Sequence, residues 1–194
     1  MQDARIMLVR HARTVWNSEQ RYAGHTDVPL APEADLQIRQ LTRELLQEPI
    51  TAIYSSPLSR CRLTVEPLAE VLGLHVVVEP FLQERNLGSW EGRSAASLTG
   101  KYPNFHYPLS AYSGQFLIPQ AETLEGVADR VELVLRTMRD ASIGGITLAA
   151  THAGIMWTVM NHIVANPPPV PMWPANSTPL IVEARSGQFF LSSL

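Results

Sequence analysis

One cysteine, Cys61, stands in 194 residues, so no internal disulfide can form. No uninterrupted apolar run approaches the ~18 residues that a membrane-spanning helix needs. The amino-terminal stretch Met1-Gln2-Asp3-Ala4-Arg5 has no charged segment leading into a long apolar one, so a secretory leader is not expected either. The net charge is −3 and no basic run interrupts the sequence, which removes the electrostatic footprint of a nucleic-acid binder or of a protein seated on an anionic membrane. No pair of histidines has the spacing of a zinc site. Internal repeats and a second domain are absent from the pattern. These absences leave a single cytoplasmic domain spanning 1–194, with no resident metal or cofactor expected.

What is present is a core. Hydrophobic residues make up 45% of the chain, enough for a domain of this size to fold without metal or disulfide staples. Strand-like apolar runs alternate with helical periodicity, which predicts a three-layer α/β/α domain around a mostly parallel sheet. The expected order is strand Ile6–Val9, helix Ala34–Gln47, strand Ala52–Tyr54, helix Ser59–Leu72 and strand Val76–Val78. Pro67 lies within the second helix and predicts a kink near Val65–Glu66. The pattern lapses over Arg93–Ala121, a Tyr-, Pro- and Ser-rich stretch read here as a substrate-covering segment. A helix over Thr123–Arg139, with Val127, Val131, Val134, Leu135 and Met138 along one stripe, then resumes the alternation. Strand Ile146–Ala150, a helix near Gly154–Val164, a connection marked by Pro167-Pro168-Pro169 and Pro174, and a hairpin of Pro179–Ala184 with Gln188–Ser192 complete it.

Polar groups cluster just past the strands. Arg10-His11 follows Ile6–Val9, Ser55-Ser56-Pro57-Leu58-Ser59-Arg60 follows Ala52–Tyr54, and Thr151-His152-Ala153-Gly154 follows the strand at 146–150. In open α/β sheets ligands bind beyond the carboxyl ends of the strands, so these groups are placed to meet one ligand. Phosphoryl transfer needs an in-line nucleophile, positive donors around the equatorial oxygens and a proton for the leaving group. His11 is the candidate nucleophile, attacking through a neutral nitrogen while the other ring nitrogen donates to a backbone carbonyl. Arg10 and Arg60 are fork-shaped anion donors, and His152 is placed to hydrogen-bond a remaining oxygen. With these donors no metal is required. In the segment Leu82–Gly92, Glu84 and Glu91 compete for the role of acid, and an ordinary pairing of Glu84 with Arg85 stands beside both.

Together with Trp16-Asn17 and Tyr22-Ala23-Gly24-His25-Thr26-Asp27-Val28-Pro29-Leu30, these segments resemble the histidine phosphatase superfamily, the phosphoglycerate mutase-like proteins, in its phosphatase branch. The loops at 24–30 and 88–92 look most like the α-ribazole phosphatase and broad-specificity group. The resemblance implies a phosphohistidine at His11, Glu84 as proton donor, and Asn17 with the backbone around Ala23 and Gly24 seating phosphate or substrate. Read without the resemblance, Asn17 is equally a helix cap.

Several residues depart from the family pattern. Ala12 and Arg13 stand where the family usually has Gly and then Glu or Gln, and Ala121-Glu122-Thr123 where it tends to Gly-Glu-Ser. Arg13 either binds a second anionic group of the substrate or points to solvent. Glu122 either reaches the pocket or serves the start of the following helix. His25 is a substrate contact by position, whereas His75, His106 and His162 read as ordinary structural or surface residues, and Met156, Trp157 and Met160 as core. The function expected is a metal-independent phosphomonoesterase acting on a small phosphorylated metabolite. A cofactor-dependent phosphoglycerate mutase and a catalytically weak phospho-ligand binding module are the alternatives. The oligomeric state is left open, with a homodimer as one candidate.

Overall fold

The computed structural model describes residues 3–142, 144–169 and 172–192. Met1 and Gln2, on which the leader reading partly rests, and residues 170–171 of the proline-rich connection lie outside them.

The strands are β1 (Ala4–Arg10), β2 (Ile50–Ser55), β3 (Val76–Val78), β4 (Ile146–Thr151), β5 (Pro179–Arg185) and β6 (Gln188–Leu191). They form one sheet in the order β3-β2-β4-β1-β5-β6. The first four run parallel, and β5 and β6 join antiparallel at the β1 edge. Every residue of β4 is buried, as a strand flanked by parallel neighbours and covered on both faces requires. The period-two alternation of β1 splits its side chains between the two faces. Ile6 and Leu8 point into one core and Met7 and Val9 into the other.

Helix α1 is a single turn, Val15–Ser18; α2 covers Ala34–Leu45 and α3 Ser59–Leu72. Leu41 and Leu45 of α2 and Cys61, Val65, Leu68 and Ala69 of α3 pack on the Met7/Val9 face. Helix α3 runs through Pro67 and stops at Gly73, whose φ of +66° gives the left-handed turn that closes it. The residue four back from the proline, Leu63, is exposed, so the carbonyl deprived of its N–H partner lies on a solvated face. After the short α4 (Ala95–Thr99), helix α5 (Leu124–Ala141) and helix α6 (Ala153–Thr158) pack on the Ile6/Leu8 face. Thr123 caps α5 by accepting from Gly126 N–H at 3.0 Å. The helix expected over 154–164 is helical in two parts, because α6 passes at Thr158 into a π-helical turn, Val159–Ile163.

The 93–121 segment is not a bare loop. It carries α4 and a 3₁₀ turn, Leu109–Ala111, and lays its aromatic residues on a satellite core centred on Trp90. Trp90 is fully buried, with ring centroids of Tyr22, Tyr102, Phe105 and Phe116 at 5.6, 5.2, 5.7 and 5.9 Å. These apolar contacts supply what the segment lacks in regular hydrogen bonding.

Two separate cores predict two separable responses. Leu148→Ala, in the sheet centre, is expected to lower global stability by about 2–5 kcal/mol in denaturant unfolding. Trp90→Ala is expected to expose the amides of residues 95–118 to hydrogen exchange while those of β1 and β4 keep their protection. Equal loss of protection in both regions would show that the cores unfold as one.

Candidate active site

Because β1, β2 and β4 are parallel neighbours, their carboxyl ends meet at one edge of the sheet. The chain there is tied across strands: His11 N–H donates to Thr151 C=O at 3.0 Å and Ser56 N–H to Ala150 C=O at 2.9 Å. The cleft above this edge is lined by Arg10, His11, Asn17, Arg60 and Glu84 together with Ala23 and Gly24, with room inside for about 50 Å³.

His11 Nδ1 donates to the carbonyl of Ala12 at 2.7 Å, which leaves Nε2 as the unprotonated nitrogen. Burial holds the His11 imidazolium well below its usual range, and the Arg60 and Arg10 charges push the same way. Ala12 is buried and does not occupy the left-handed region, so the alanine there carries no backbone strain. Its N–H donates to Thr64 Oγ1 at 2.8 Å, fixing the turn that presents the nucleophile.

Arg60 is 1% exposed, and its Nη1 and Nη2 donate to the carbonyls of Thr26 and Gly24 at 2.8 and 2.9 Å. Its Nε donates to His152 Nδ1 at 3.3 Å. That donation assigns the proton of His152 to Nε2, which meets Ser56 Oγ at 2.8 Å. His152 is fully buried, its ring 5.2 Å from that of His11, so it backs the nucleophile rather than lining the cleft. Burial, then Arg60 and His11, hold its imidazolium well below the ordinary range. Cys61 Sγ packs 3.4 Å from His152 Nε2, and burial pushes its thiol up to about 12, so it stays protonated. Arg10 Nη1 donates to Pro174 C=O at 2.8 Å, while its buried Nε has no partner. Among the described residues neither Arg10 nor Arg60 has a carboxylate within salt-bridge distance. The Arg60 guanidinium is buried and Arg10 is half-buried at the cleft wall, and cations with no counter-ion among the described residues suit an anion.

Glu84 is 8% exposed, with Oε1 accepting from Arg85 N–H at 2.9 Å and Oε2 from Gly154 N–H at 3.2 Å. The side chain of Arg85 turns away from it, to the carbonyls of Glu122 at 2.8 Å and of Ala111. An Arg85–Glu84 side-chain ion pair is therefore not what holds this carboxylate. Glu91 is spent on structure. Its oxygens accept from the N–H groups of His25, Thr26 and Leu87 at 2.9, 3.1 and 3.1 Å and from Thr26 Oγ1 at 2.8 Å, and it does not line the cleft. Gly24, at a φ of +52°, is held there because a Cβ would come within 2.1 Å of Glu91 Oε1. His25 Nε2 sits 2.8 Å from the carbonyl of Glu84, bracing the loop rather than facing the cleft. Glu122 pairs with Arg130 at 2.6 Å, and Arg130 in turn donates to the carbonyls of Phe81, Gln83 and Glu84 at 2.6, 2.8 and 3.3 Å. Glu122 thus acts on the site through Arg130, not by entering it.

Asn17 fills both readings of the sequence. Its Oδ1 accepts from Thr14 N–H at 3.1 Å as half of a capping box, and its side chain lines the cleft. Arg13 is exposed; its Nε donates to Ser18 Oγ at 3.1 Å and lies 3.5 Å from Glu33. It lines an outer recess that shares Arg10, Asn17 and Tyr107 with the main cleft. Tyr107, Tyr112 and Trp173 also wall the cleft, and none was singled out from sequence. The aromatic content of 93–121 was the available signal for the first two. Nothing local marks Trp173, which reaches the site from the proline-rich connection.

Residues 6–191 match the model of the histidine phosphatase superfamily (branch 1). The chain is 32% identical over 162 residues to the probable phosphoglycerate mutase GpmB of Escherichia coli O1:K1, covering 84% of this chain and 75% of that protein. Among solved structures it is similar to a mycobacterial glucosyl-3-phosphoglycerate phosphatase complexed with VO3, at a TM-score of 0.84 and 24% identity over 97% of each chain. It is also similar to a proposed α-ribazole-5′-P phosphatase of Escherichia coli K-12, at a TM-score of 0.81 and 20% identity over 98% of this chain and 95% of the other. At those identities the two structures establish the fold.

The depressed histidines carry a pH signature. Below about pH 6.5 the unfolded chain protonates His11 and His152 while the native state does not, so the unfolded state binds more protons and stability falls as the pH falls. Each group contributes a slope of at most about 1.4 kcal/mol per pH unit. Denaturant unfolding between pH 7.5 and 5 should show a shallower decline in His152→Asn than in the wild type. Parallel curves would mean that His152 is charged in the native protein.

Proposed function

The chain belongs to the histidine phosphatase superfamily, branch 1, and on that premise we propose that it is a phosphomonoester hydrolase working through a phosphohistidine at His11. The observation that carries the reading is the hydrogen bond from His11 Nδ1 to Ala12 C=O, which leaves a neutral Nε2 beside two guanidiniums with no counter-ion among the described residues. Nε2 attacks phosphorus as the bond to the leaving oxygen breaks, and Arg10 and Arg60 take the charge on the equatorial oxygens. His152, its Nδ1 accepting from Arg60 and its Nε2 bonded to Ser56, positions Arg60 rather than donating to the phosphate. Glu84 gives its proton to the leaving oxygen, and its carboxylate then takes a proton from the water that attacks the phosphohistidine, returning His11 to its neutral state. The substrate is a small phosphorylated metabolite, the 93–121 segment covers it, and the reaction needs no metal.

The kinship with a probable phosphoglycerate mutase supports a second reading, in which the phosphoryl group returns to a reoriented substrate. Against it stands the 93–121 segment, whose only cations are Arg93 and Lys101. Phosphate release and isomerisation of 3-phosphoglycerate, measured side by side, separate the two. His11→Ala is expected to abolish turnover, and acid-quenched wild type is expected to hold an acid-labile, base-stable phosphoenzyme, both unchanged by EDTA. Glu84→Gln is expected to slow phosphorylation by alkyl phosphates by roughly two to four orders of magnitude and to spare p-nitrophenyl phosphate, whose leaving group needs no proton. Turnover by His11→Ala above a few per cent would refute the phosphohistidine.

Arg13 belongs to the leaving-group side of the reading. Its exposed pairing with Glu33 is weak enough to yield to a ligand. Arg13→Gln is expected to raise KM severalfold for 3-phosphoglycerate and leave glycerol 3-phosphate unchanged. An equal effect on both would assign Arg13 to solvent.

A further inference from the structure

Tyr112 enters the cleft from the 93–121 segment, and its surroundings are built around it. The ring is fully buried, with centroids 5.2 Å from Trp173 and 6.2 Å from Trp157. It lies so close over Gly154 that a Cβ there would meet Cε1 at 2.2 Å and Oη at 2.4 Å. Only glycine admits it. The N–H of the same Gly154 donates to Glu84 Oε2 at 3.2 Å, so the hydroxyl and the carboxylate converge on one residue. The chain on either side is clamped as well. Arg85, directly after Glu84, donates to the carbonyl of Ala111, directly before Tyr112. Two dipeptides distant in sequence, 84–85 and 111–112, are thereby locked together.

We propose that Tyr112 is the positioning residue of the proton donor: its hydroxyl, fixed by Gly154 and by the Arg85–Ala111 clamp, holds the Glu84 carboxyl in the orientation that delivers its proton to the leaving oxygen. The two carboxylate oxygens each take one backbone N–H, from Arg85 and Gly154. The Tyr112 hydroxyl, held against the same Gly154, is placed to donate to the carboxyl as a third partner. Burial, reinforced by the Glu84 charge, holds the phenol well above its ordinary range, so it remains a donor throughout the working pH. The variable segment thus has a role beyond covering the substrate, because it furnishes part of the acid.

The proposal rests on Glu84 being the leaving-group acid, and the test distinguishes the two claims. Tyr112→Phe keeps the ring packing and removes only the hydroxyl. For glycerol 3-phosphate its phosphorylation rate is expected to fall about tenfold with KM unchanged, while p-nitrophenyl phosphate stays within about twofold. The alkaline limb of the pH–rate profile for the alkyl substrate is expected to move up by about one unit, because a donor that favours the carboxylate is gone. Gly154→Ala, which displaces the ring, is expected to reproduce the substrate split, and the double variant to lose no more than either single one. Equal slowing of both substrates with an unmoved limb would reduce Tyr112 to packing and overturn the proposal. If Glu84→Gln separates the substrates and Tyr112→Phe does not, the proposal fails and the hydrolase reading stands. If Glu84→Gln does not separate them, the proposal and the assignment of Glu84 as the acid fall together, while the phosphohistidine reading stands on His11→Ala.

Discussion

The structure depends on holding two guanidinium groups at the cleft with no carboxylate among the described residues to neutralise them. Arg10 and Arg60 sit at the carboxyl edge of the sheet, bonded to backbone carbonyls of residues 24, 26 and 174, with no counter-ion among the described residues and Arg10 Nε left over. Carbonyl dipoles meet the hydrogen-bonding demand of a guanidinium and leave its charge standing. The site therefore has a standing deficit of negative charge. Burial, reinforced by the same field, keeps His11 and His152 neutral.

That arrangement explains why so much of the surrounding polar structure faces inward. The loop at 24–26 must offer its carbonyls to Arg60, and Glu91 holds it in that pose by taking its N–H groups from behind. Glu84 must stand near the cations without collapsing onto them. Backbone N–H groups of Arg85 and Gly154 grip its oxygens, and Arg130, paired to Glu122, grips the carbonyls of the turn leading to it. Three glutamates thus divide into one facing the cleft and two supports, according to what their oxygens are bonded to.

The scaffold makes this economical. With β4 between β1 and β2, three carboxyl-end loops from distant parts of the chain become neighbours, and single backbone hydrogen bonds between them fix the relative heights of His11, Ser56 and His152. The second core around Trp90 is a separate unit that brings Tyr107 and Tyr112 to the cleft.

The local code of the chain was strong where packing and propensity agree. Helix α3 and strand β3 fall on their expected residues, because apolar periodicity and Gly73 mark them directly. The strand-end residues Arg10, His11 and Arg60 were legible for the same reason: a strand pattern fixes its own end, and whatever follows it faces the ligand edge. The division of labour among Glu84, Glu91 and Glu122 was not. A carboxylate's task depends on which N–H groups reach it, and for Glu91 and Glu84 they include those of residues 25, 26 and 154, far away along the chain. His152 was readable as a site residue, yet its place behind His11 and its tautomer follow from Arg60 and Ser56. Trp173 carried no local mark at all, and Tyr112 only the aromatic content of its segment. The sequence by itself determined the sheet, its layers and the anion-binding edge, since periodicity and strand ends are short-range properties. The tertiary structure alone decided which acid faces the cleft and what holds it there, since hydrogen bonds between segments far apart have no sequence period to announce them.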